Sequence, residues 1–192
     1  MSRRAVFLDR DGTINDDVGY PCNYGQVRVF PYSFEAVRRI NRAGLLAVVM
    51  TNQSGVGRGY FTEDDLAEIH RRLAEDFASR QARLEGIYYC PHYLHSSEPR
   101  YRQDCACRKP NPGMALRAAR ELDIDLGSSF MIGDKVEDIE FARNIGAVPV
   151  LVLTGYGGES EKRLRAEGRP PAFVAATLLE AVDWVLGDHD QV

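Results

Sequence analysis

Short apolar runs alternate along the chain with segments in which apolar residues recur every three or four positions. Continuous apolar runs are typical of strands that are buried on both faces of a parallel sheet. The runs predict five strands, at residues 5–8, 45–50, 87–89, 130–132 and 148–153.

The segments between these runs predict helices, and capping residues bound them. Ser33 is the expected N-cap of the first helix, and Asn111 with Pro112 is the expected N-cap and N1 pair of the third. Thr177 and Glu180 predict a capping box. The predicted helices are residues 33–43, one that begins at 62, 111–122, 137–145 and 177–186.

This alternation of strands and helices predicts the fold class. It is typical of an α/β protein with a doubly wound parallel sheet and right-handed crossovers. The 192 residues show no internal repeat and no linker, so residues 1–192 are expected to form a single domain.

Composition narrows the range of functions. A formal charge of −4 argues against nucleic-acid binding, which requires a basic surface to meet phosphates. Nothing in the sequence resembles a signal peptide or a transmembrane helix. We therefore expect a cytoplasmic protein that binds neither nucleic acid nor membrane, and we expect a monomer.

Polar clusters follow the predicted strands. Because the carboxyl ends of parallel strands meet at one crevice, these side chains should converge there. Carboxylates at this density suit Mg²⁺, while hydroxyls, amides and a lysine suit a phosphoryl group. The clusters are Asp9 with Asp11, Thr51 with Asn52 and Ser54, Arg108 with Lys109, and Asp134 with Asp138.

Cysteine and histidine are concentrated in one irregular segment, at about residues 90–108. Cys90, His92, Cys105 and Cys107 predict a closed Cys₃His zinc site that orders a loop without a hydrophobic core. His95 is a competing ligand, but the C-x-H spacing mirrors the C-x-C spacing and favours His92. Cys22 is expected to be a free cysteine, and His70 a solvated helix residue.

Four motifs in order resemble the haloacid dehalogenase (HAD) superfamily of phosphatases: Asp9-x-Asp11-Gly12-Thr13, Thr51-Asn52, Lys109, and Gly133-Asp134 with Asp138. The resemblance implies that Asp9 is the nucleophile and Asp11 the general acid/base, with Thr51 and Lys109 holding the phosphoryl group. It also implies Mg²⁺ bound by the Asp9 carboxylate, the Asp11 main-chain carbonyl and Asp134. The spacing between motifs leaves no room for a cap domain.

Within the superfamily, the zinc cluster and the segments 7–15, 51–55 and 133–135 resemble its zinc-containing, histidinol-phosphatase-like branch, and in that branch the phosphatases of heptose bisphosphates. The resemblance implies removal of the C7 phosphate of a small phosphorylated sugar on the route to the activated heptose of lipopolysaccharide. Histidinol phosphate is the alternative substrate, and a non-catalytic, zinc-ordered phosphate-binding module is an alternative of another class. The expected substrate contacts are Asp17, Val18, Gly19, Tyr20, Thr51, Asn52, Gln53, Ser54, Arg108, Lys109 and Lys135.

Overall fold

Within residues 2–187, which the computed structural model describes, six parallel strands form one sheet in the order β3-β2-β1-β4-β5-β6. This arrangement confirms the predicted doubly wound α/β fold. The strands are β1 (Ala5–Leu8), β2 (Leu46–Asn52), β3 (Gly86–Cys90), β4 (Phe130–Gly133), β5 (Val148–Val152) and β6 (Phe173–Ala175).

Helices cover both faces of this sheet. Alternate residues of the buried strands face two separate apolar layers, as the period-two geometry of a strand requires. One layer packs against α1, α3 and α7, and the other against α4 and α5. The helices are α1 (Pro31–Arg42), α2 (Ser54–Gly57), α3 (Glu63–Ser79), α4 (Gly113–Leu122), α5 (Val136–Asn144), α6 (Gly157–Ala166) and α7 (Leu178–Leu186).

The strand order reverses between β1 and β4. The chain winds from β1 through β2 to β3 on one side, and from β4 through β5 to β6 on the other. Such a switch point leaves a crevice at the carboxyl ends of the two central strands, where open α/β sheets bind ligands. Asp9 follows β1 directly, and Asp134 follows β4. The fold therefore brings both residues to this crevice.

Two predicted helix starts are wrong. Helix α1 begins at Pro31, and the hydroxyl of Ser33 instead donates a hydrogen bond to the Ile14 carbonyl, 2.8 Å away. Helix α4 has Pro112 as its N-cap and no side-chain cap, and the Asn111 side chain donates to the Cys105 carbonyl at 2.8 Å. In both cases the side chain that the sequence pattern had assigned to a cap instead donates to a carbonyl outside the helix.

The remaining caps follow the sequence more closely. Thr62 and Asp65 form a complete capping box at α3. Thr177 accepts a hydrogen bond from the Glu180 amide, but the Glu180 carboxylate accepts from the Ala176 amide, so the predicted box is only half formed. The short elements α2, α6 and β6 were not predicted, because their apolar runs are too brief to show a period.

The segments after β1 and β2 contain no additional domain in the described part of the chain. The first contains only a 3-10 turn, Tyr24–Gln26, before α1, and the second contains α2 and α3. Residues 91–112 lack regular secondary structure, as expected for the cysteine-containing loop. Among the described helices, none combines the length and the apolar character needed to cross a lipid bilayer.

Candidate active site

A buried lysine lies at the centre of the site. The Nζ atom of Lys109 donates to Asp9 Oδ1 at 2.7 Å, to Asp138 Oδ1 at 2.6 Å and to the Met50 carbonyl at 2.7 Å. All three of its protons therefore have acceptors. Burial alone would lower the pKa of Lys109, but the carboxylates of Asp138 and Asp9 raise it overall. The ammonium stays charged and fixes the position of the Asp9 carboxylate.

Three buried carboxylates surround this lysine, which is more negative charge than one ammonium neutralises. Asp9, Asp134 and Asp138 offer oxygens that all lie within 4.8 Å of one another. Desolvation, together with Asp9 and Asp138, raises the pKa of Asp134 to about 8. Desolvation also raises the pKa of Asp9 to about 6, although Lys109 opposes the shift. A buried cluster of this kind favours a bound cation.

Asp134 supplies a free oxygen for such a cation. Its Oδ2 accepts a hydrogen bond from the Tyr156 amide at 2.8 Å, whereas its Oδ1 is buried without any hydrogen-bond partner in the described structure. Buried acceptors are rarely left unpaired. Asp138 differs, because its oxygens accept from Lys109 and from the Lys135 amide. Asp134 is thus a better candidate ligand than Asp138, as the superfamily resemblance implies.

Gly12 allows the loop after β1 to approach Asp134. Its φ of +90° lies in the left-handed region, and a Cβ atom there would lie 2.3 Å from Asp134 Oδ2. Any other residue would be strained by its backbone and would collide with a candidate metal ligand. The Asp-x-Asp-Gly motif therefore requires glycine for steric reasons.

The Asp11 carboxylate lies in a network of donors. Arg10 donates to both of its oxygens, at 3.0 and 2.7 Å, Asn15 donates at 2.9 Å and Gln53 at 2.8 Å. Burial would raise the pKa of Asp11, but the Arg10 guanidinium and these hydrogen bonds lower it overall. Asp11 is therefore ionised in this arrangement and ready to accept a proton.

The prediction for His70 is wrong. This residue is buried, and its Nε2 atom lies 3.1 Å from the Arg10 guanidinium, whose side chain is itself fully buried. Burial and the adjacent Arg10 charge lower the pKa of His70 to about 3, so the imidazole is neutral and can accept from Arg10. His70 thus supports the arginine that holds Asp11.

The loop after β2 has a positioning role that its sequence did not reveal. The Asn52 side chain donates to the Lys109 carbonyl at 3.2 Å and accepts from the Lys109 amide at 3.0 Å. The Gln53 amide donates to Asp11 and to the buried Thr51 hydroxyl, at 2.8 Å in each case. These contacts connect the lysine, the threonine and the two aspartates into one unit.

Lys135 and Asp17 form an ion pair in the lining of the same site. Lys135 Nζ donates to Asp17 Oδ2 at 3.0 Å and lies 4.9 Å from the centroid of the Tyr156 ring. Burial lowers the pKa of Lys135, but the carboxylates of Asp9, Asp134 and Asp17 raise it well above its ordinary value. The pair therefore joins the loop after β1 to the end of β4.

A cavity of about 620 Å³ opens above these groups. It is lined by most of the predicted substrate contacts, but Val18 is not among the lining residues and Asp134 lies buried beneath them. The predicted residues that line it are Asp9, Asp11, Asp17, Gly19, Tyr20, Thr51, Asn52, Gln53, Ser54, Arg108, Lys109 and Lys135.

Sequence reasoning missed several lining residues, among them Arg58, Asp104, Glu137 and Tyr156. Tyr156 had a usable signal, because it follows the predicted strand β5 at the same edge of the sheet as Asp9 and Asp134. Arg58 had none, because it follows a four-residue helix whose position depends on contacts with distant parts of the chain.

The cysteine cluster comes together as expected. Cys90 Sγ lies 3.4 Å from Cys105 Sγ and 3.6 Å from His92 Nδ1, and Cys107 Sγ lies 3.2 Å from both Cys105 Sγ and His92 Nδ1. Ligands at about 2.0–2.3 Å from a tetrahedral zinc are separated by similar distances. Of the two candidate histidines, the structure places His92 rather than His95 with the thiols.

This loop leads directly into Lys109. The Asn111 side chain donates to the Cys105 carbonyl at 2.8 Å, and the Gly113 amide donates to the Ala106 carbonyl at 2.8 Å. Arg108 Nη1 lies 3.4 Å from the His92 carbonyl, and its side chain reaches the cavity. The arrangement of the cysteine cluster therefore determines where Arg108 and Lys109 are held.

Known proteins are similar to this chain in sequence and fold. A family model described as HAD-hydrolase-like matches residues 106–181. The D-glycero-beta-D-manno-heptose-1,7-bisphosphate 7-phosphatase of Pasteurella multocida is 48% identical over 137 residues, which are 71% of this chain and 74% of that protein. The D-glycero-D-manno-heptose-1,7-bisphosphate 7-phosphatase of Thermosynechococcus vestitus is 40% identical over 190 residues, 96% of each protein. The chain belongs to the heptose-1,7-bisphosphate 7-phosphatase family.

A solved structure agrees with this assignment. The D,D-heptose 1,7-bisphosphate phosphatase of B. bronchiseptica, complexed with magnesium and phosphate, matches with a TM-score of 0.81 and 32% identity. The match covers 95% of this chain and 98% of that one. Membership of the family makes the chain a phosphoric monoester hydrolase, so the resemblance to HAD phosphatases is confirmed.

The raised pKa of Asp134 leads to a stability prediction. In metal-free protein, Asp134 keeps its proton up to about pH 8, whereas the unfolded chain loses it near pH 4. The folded state binds more protons in this window, so the free energy of unfolding falls as pH rises through it. We expect Asp134→Asn to raise the melting temperature of metal-free protein at pH 8 and to abolish stabilisation by added Mg²⁺, both measured by thermal denaturation.

Asp138→Asn should have the opposite effect on the melting temperature from Asp134→Asn. Asp138 accepts hydrogen bonds from Lys109 and from the Lys135 amide, and breaking a buried ion pair costs about 3–5 kcal/mol. This variant should therefore melt at a lower temperature than the unmodified protein. A lower melting temperature for Asp134→Asn as well would show that its carboxylate is not under electrostatic strain.

Proposed function

We propose that the chain is a Mg²⁺-dependent phosphatase that removes the C7 phosphate of D-glycero-D-manno-heptose 1,7-bisphosphate through an aspartyl-phosphate intermediate. The observation that carries the proposal is the Asp9 carboxylate, held at the floor of the cavity by Lys109 and next to the unpaired Oδ1 of Asp134. Its product would supply the nucleotide-activated heptose of lipopolysaccharide.

The residues at the switch point fit a hard divalent cation. Asp9 and Asp134 would hold Mg²⁺ together with the main-chain carbonyl of Asp11, which the superfamily resemblance adds to the set. When bound, Mg²⁺ would reduce the repulsion between the Asp9 carboxylate and a phosphate dianion. The unpaired Asp134 oxygen and the raised pKa values support this assignment.

In the first half of the proposed reaction, an oxygen of Asp9 attacks phosphorus and the bond from phosphorus to the C7 oxygen breaks. Lys109, which donates to Asp9, and the buried Thr51 hydroxyl would stabilise the charge on the phosphoryl oxygens. The leaving oxygen takes a proton from Asp11. Asp11 must therefore pick up a proton before this step, since its surroundings favour the ionised form.

In the second half, a water molecule attacks the phosphorus of the aspartyl phosphate. Ionised Asp11 accepts the proton of that water, the bond between phosphorus and the Asp9 oxygen breaks, and inorganic phosphate and free Asp9 result. The Arg10, Asn15 and Gln53 contacts suit this step, because they hold Asp11 as a carboxylate.

The heptose substrate is favoured over the two alternatives. The relatives similar over most of this chain carry the heptose bisphosphatase name, which favours that substrate over histidinol phosphate. A non-catalytic phosphate-binding module has no use for a second carboxylate with four donors beside the nucleophile. Asp11 therefore argues for turnover.

A cytoplasmic monomer without nucleic-acid or membrane partners remains our expectation.

Zinc is the second proposed cofactor. Cys90, His92, Cys105 and Cys107 leave no open coordination position for a substrate, so the metal would be structural. Thiolate sulfur is the form of cysteine that ligates zinc, and the four ligand atoms lie within 4.8 Å of one another. The metal would order residues 91–108 and so position Arg108 and Lys109.

A substrate comparison with an inactive variant tests the proposed function. The protein with Mg²⁺ should hydrolyse heptose 1,7-bisphosphate with a higher kcat/KM than histidinol phosphate. Asp9→Asn should lower kcat by at least about three orders of magnitude, because it removes the nucleophile. Asp16→Asn, an exposed aspartate of the same loop outside the cavity, is the matched control. Preference for histidinol phosphate, or turnover by folded Asp9→Asn, would contradict the proposal.

A separate measurement tests the zinc site. Protein purified without added metal should contain about one zinc per chain by elemental analysis. Cys107→Ser should lower both the zinc content and the phosphatase activity, because the loop positions Lys109. Cys22→Ser replaces an exposed cysteine outside the cluster and should change neither value. Full activity in zinc-free protein would show that the cluster has no part in shaping the site.

A further inference from the structure

Four cationic side chains line the cavity, and they differ in their partners. Lys109 pairs with Asp9 and Asp138, and Lys135 pairs with Asp17. Arg58 and Arg108 also line the cavity, but neither forms an ion pair with any residue in the described part of the chain. The two lysines are committed to the reaction centre, so the two arginines are the cations available to a second anionic group.

Arg58 is held in place by aromatic rings instead of carboxylates. Its guanidinium carbon lies 3.8 Å from the centroid of the Tyr93 ring and 5.8 Å from that of Tyr20. The Tyr20 ring also packs edge-on against Tyr60, with 4.7 Å between centroids. Stacking on an aromatic face fixes a guanidinium but leaves its N–H groups free to donate in the plane.

A close backbone contact sets the position of this stack. The Gly57 amide donates to the Pro91 carbonyl at 3.0 Å, and a Cβ atom at Gly57 would lie 2.7 Å from that carbonyl oxygen and 2.9 Å from Tyr93 Cβ. Only glycine lets α2 pack this closely on the residues that flank His92. The proposed zinc loop therefore positions Arg58 through Tyr93, in addition to positioning Lys109.

We propose that Arg58 binds the phosphate group that is not transferred, and so determines the preference of this site for a sugar carrying two phosphates. The inference rests on the proposed function. A planar fork of N–H donors suits a phosphate, and an exposed, pre-positioned arginine loses little conformational entropy on binding one. Arg108, expected from the sequence to help recognise the substrate, also lines the cavity and would share this role.

The test measures the ratio of kcat/KM for heptose 1,7-bisphosphate to that for 4-nitrophenyl phosphate, which lacks the second phosphate. Arg58→Gln should lower this ratio about tenfold or more, chiefly through KM for the bisphosphate. The ratio does not depend on the fraction of folded enzyme. Arg100→Gln is the matched control, because Arg100 is also stacked on a tyrosine, at 4.6 Å from Tyr101, but lies outside the cavity. Its ratio should equal that of the unmodified protein.

A second readout uses inhibition rather than turnover. Heptose 1-phosphate keeps the second phosphate, so its inhibition constant against 4-nitrophenyl phosphate should rise in Arg58→Gln by a factor similar to the change in the ratio. Tyr93→Leu, which removes the stacking ring, should shift the ratio in the same direction by a smaller factor.

The outcomes separate this inference from the function on which it rests. Hydrolysis of the bisphosphate by the unmodified protein, with an unchanged ratio in Arg58→Gln, would overturn the role of Arg58 alone. Equal losses on both substrates would also overturn it, because they would place Arg58 at the reaction centre. If the unmodified protein did not hydrolyse the bisphosphate, the proposed function and this inference would both fail.

Discussion

The rest of the site depends on the hydrogen bonds that the Lys109 ammonium donates. This ammonium lies under a set of buried carboxylates and donates to two of them, Asp9 and Asp138, and to the Met50 carbonyl. Charges taken out of water at this depth are tolerated only when they are paired and hydrogen-bonded. The Asn52 side chain binds both the amide and the carbonyl of Lys109. The cysteine-containing loop leads directly into Lys109. The position of the Asp9 carboxylate is thus set by a residue 100 positions away in the sequence.

Much of the site could be predicted from the sequence because parallel strands fix where their carboxyl ends lie. Asp9 and Asp134 follow buried apolar runs, and a doubly wound sheet brings such positions together whatever the details of the helices. The thiols and His92 could be grouped because few other arrangements would order an irregular segment of that length. These features depend on chain topology or on ligand chemistry, and short sequence patterns predict both.

The missed features depend on tertiary contacts. His70 lies on the apolar stripe of α3, three or four residues from buried Leu66 and Leu73, and this spacing was the available sign that it is buried. What the sequence could not show is its partner, the buried Arg10 next to Asp11. Ser33 likewise binds a distant carbonyl instead of capping α1. In each case a polar group is satisfied by a residue far along the chain, which no short-range pattern reports.

The proposed magnesium site predicts that Asp134 is protonated in the metal-free protein and releases its proton when Mg²⁺ binds. Calorimetric titration with Mg²⁺ at pH 7, in two buffers of different ionisation enthalpy, measures the protons released on binding. Because burial and the neighbouring carboxylates raise the pKa of Asp134 to about 8, we expect release of about one proton per Mg²⁺ bound. Mg²⁺ binding without proton release would contradict the account.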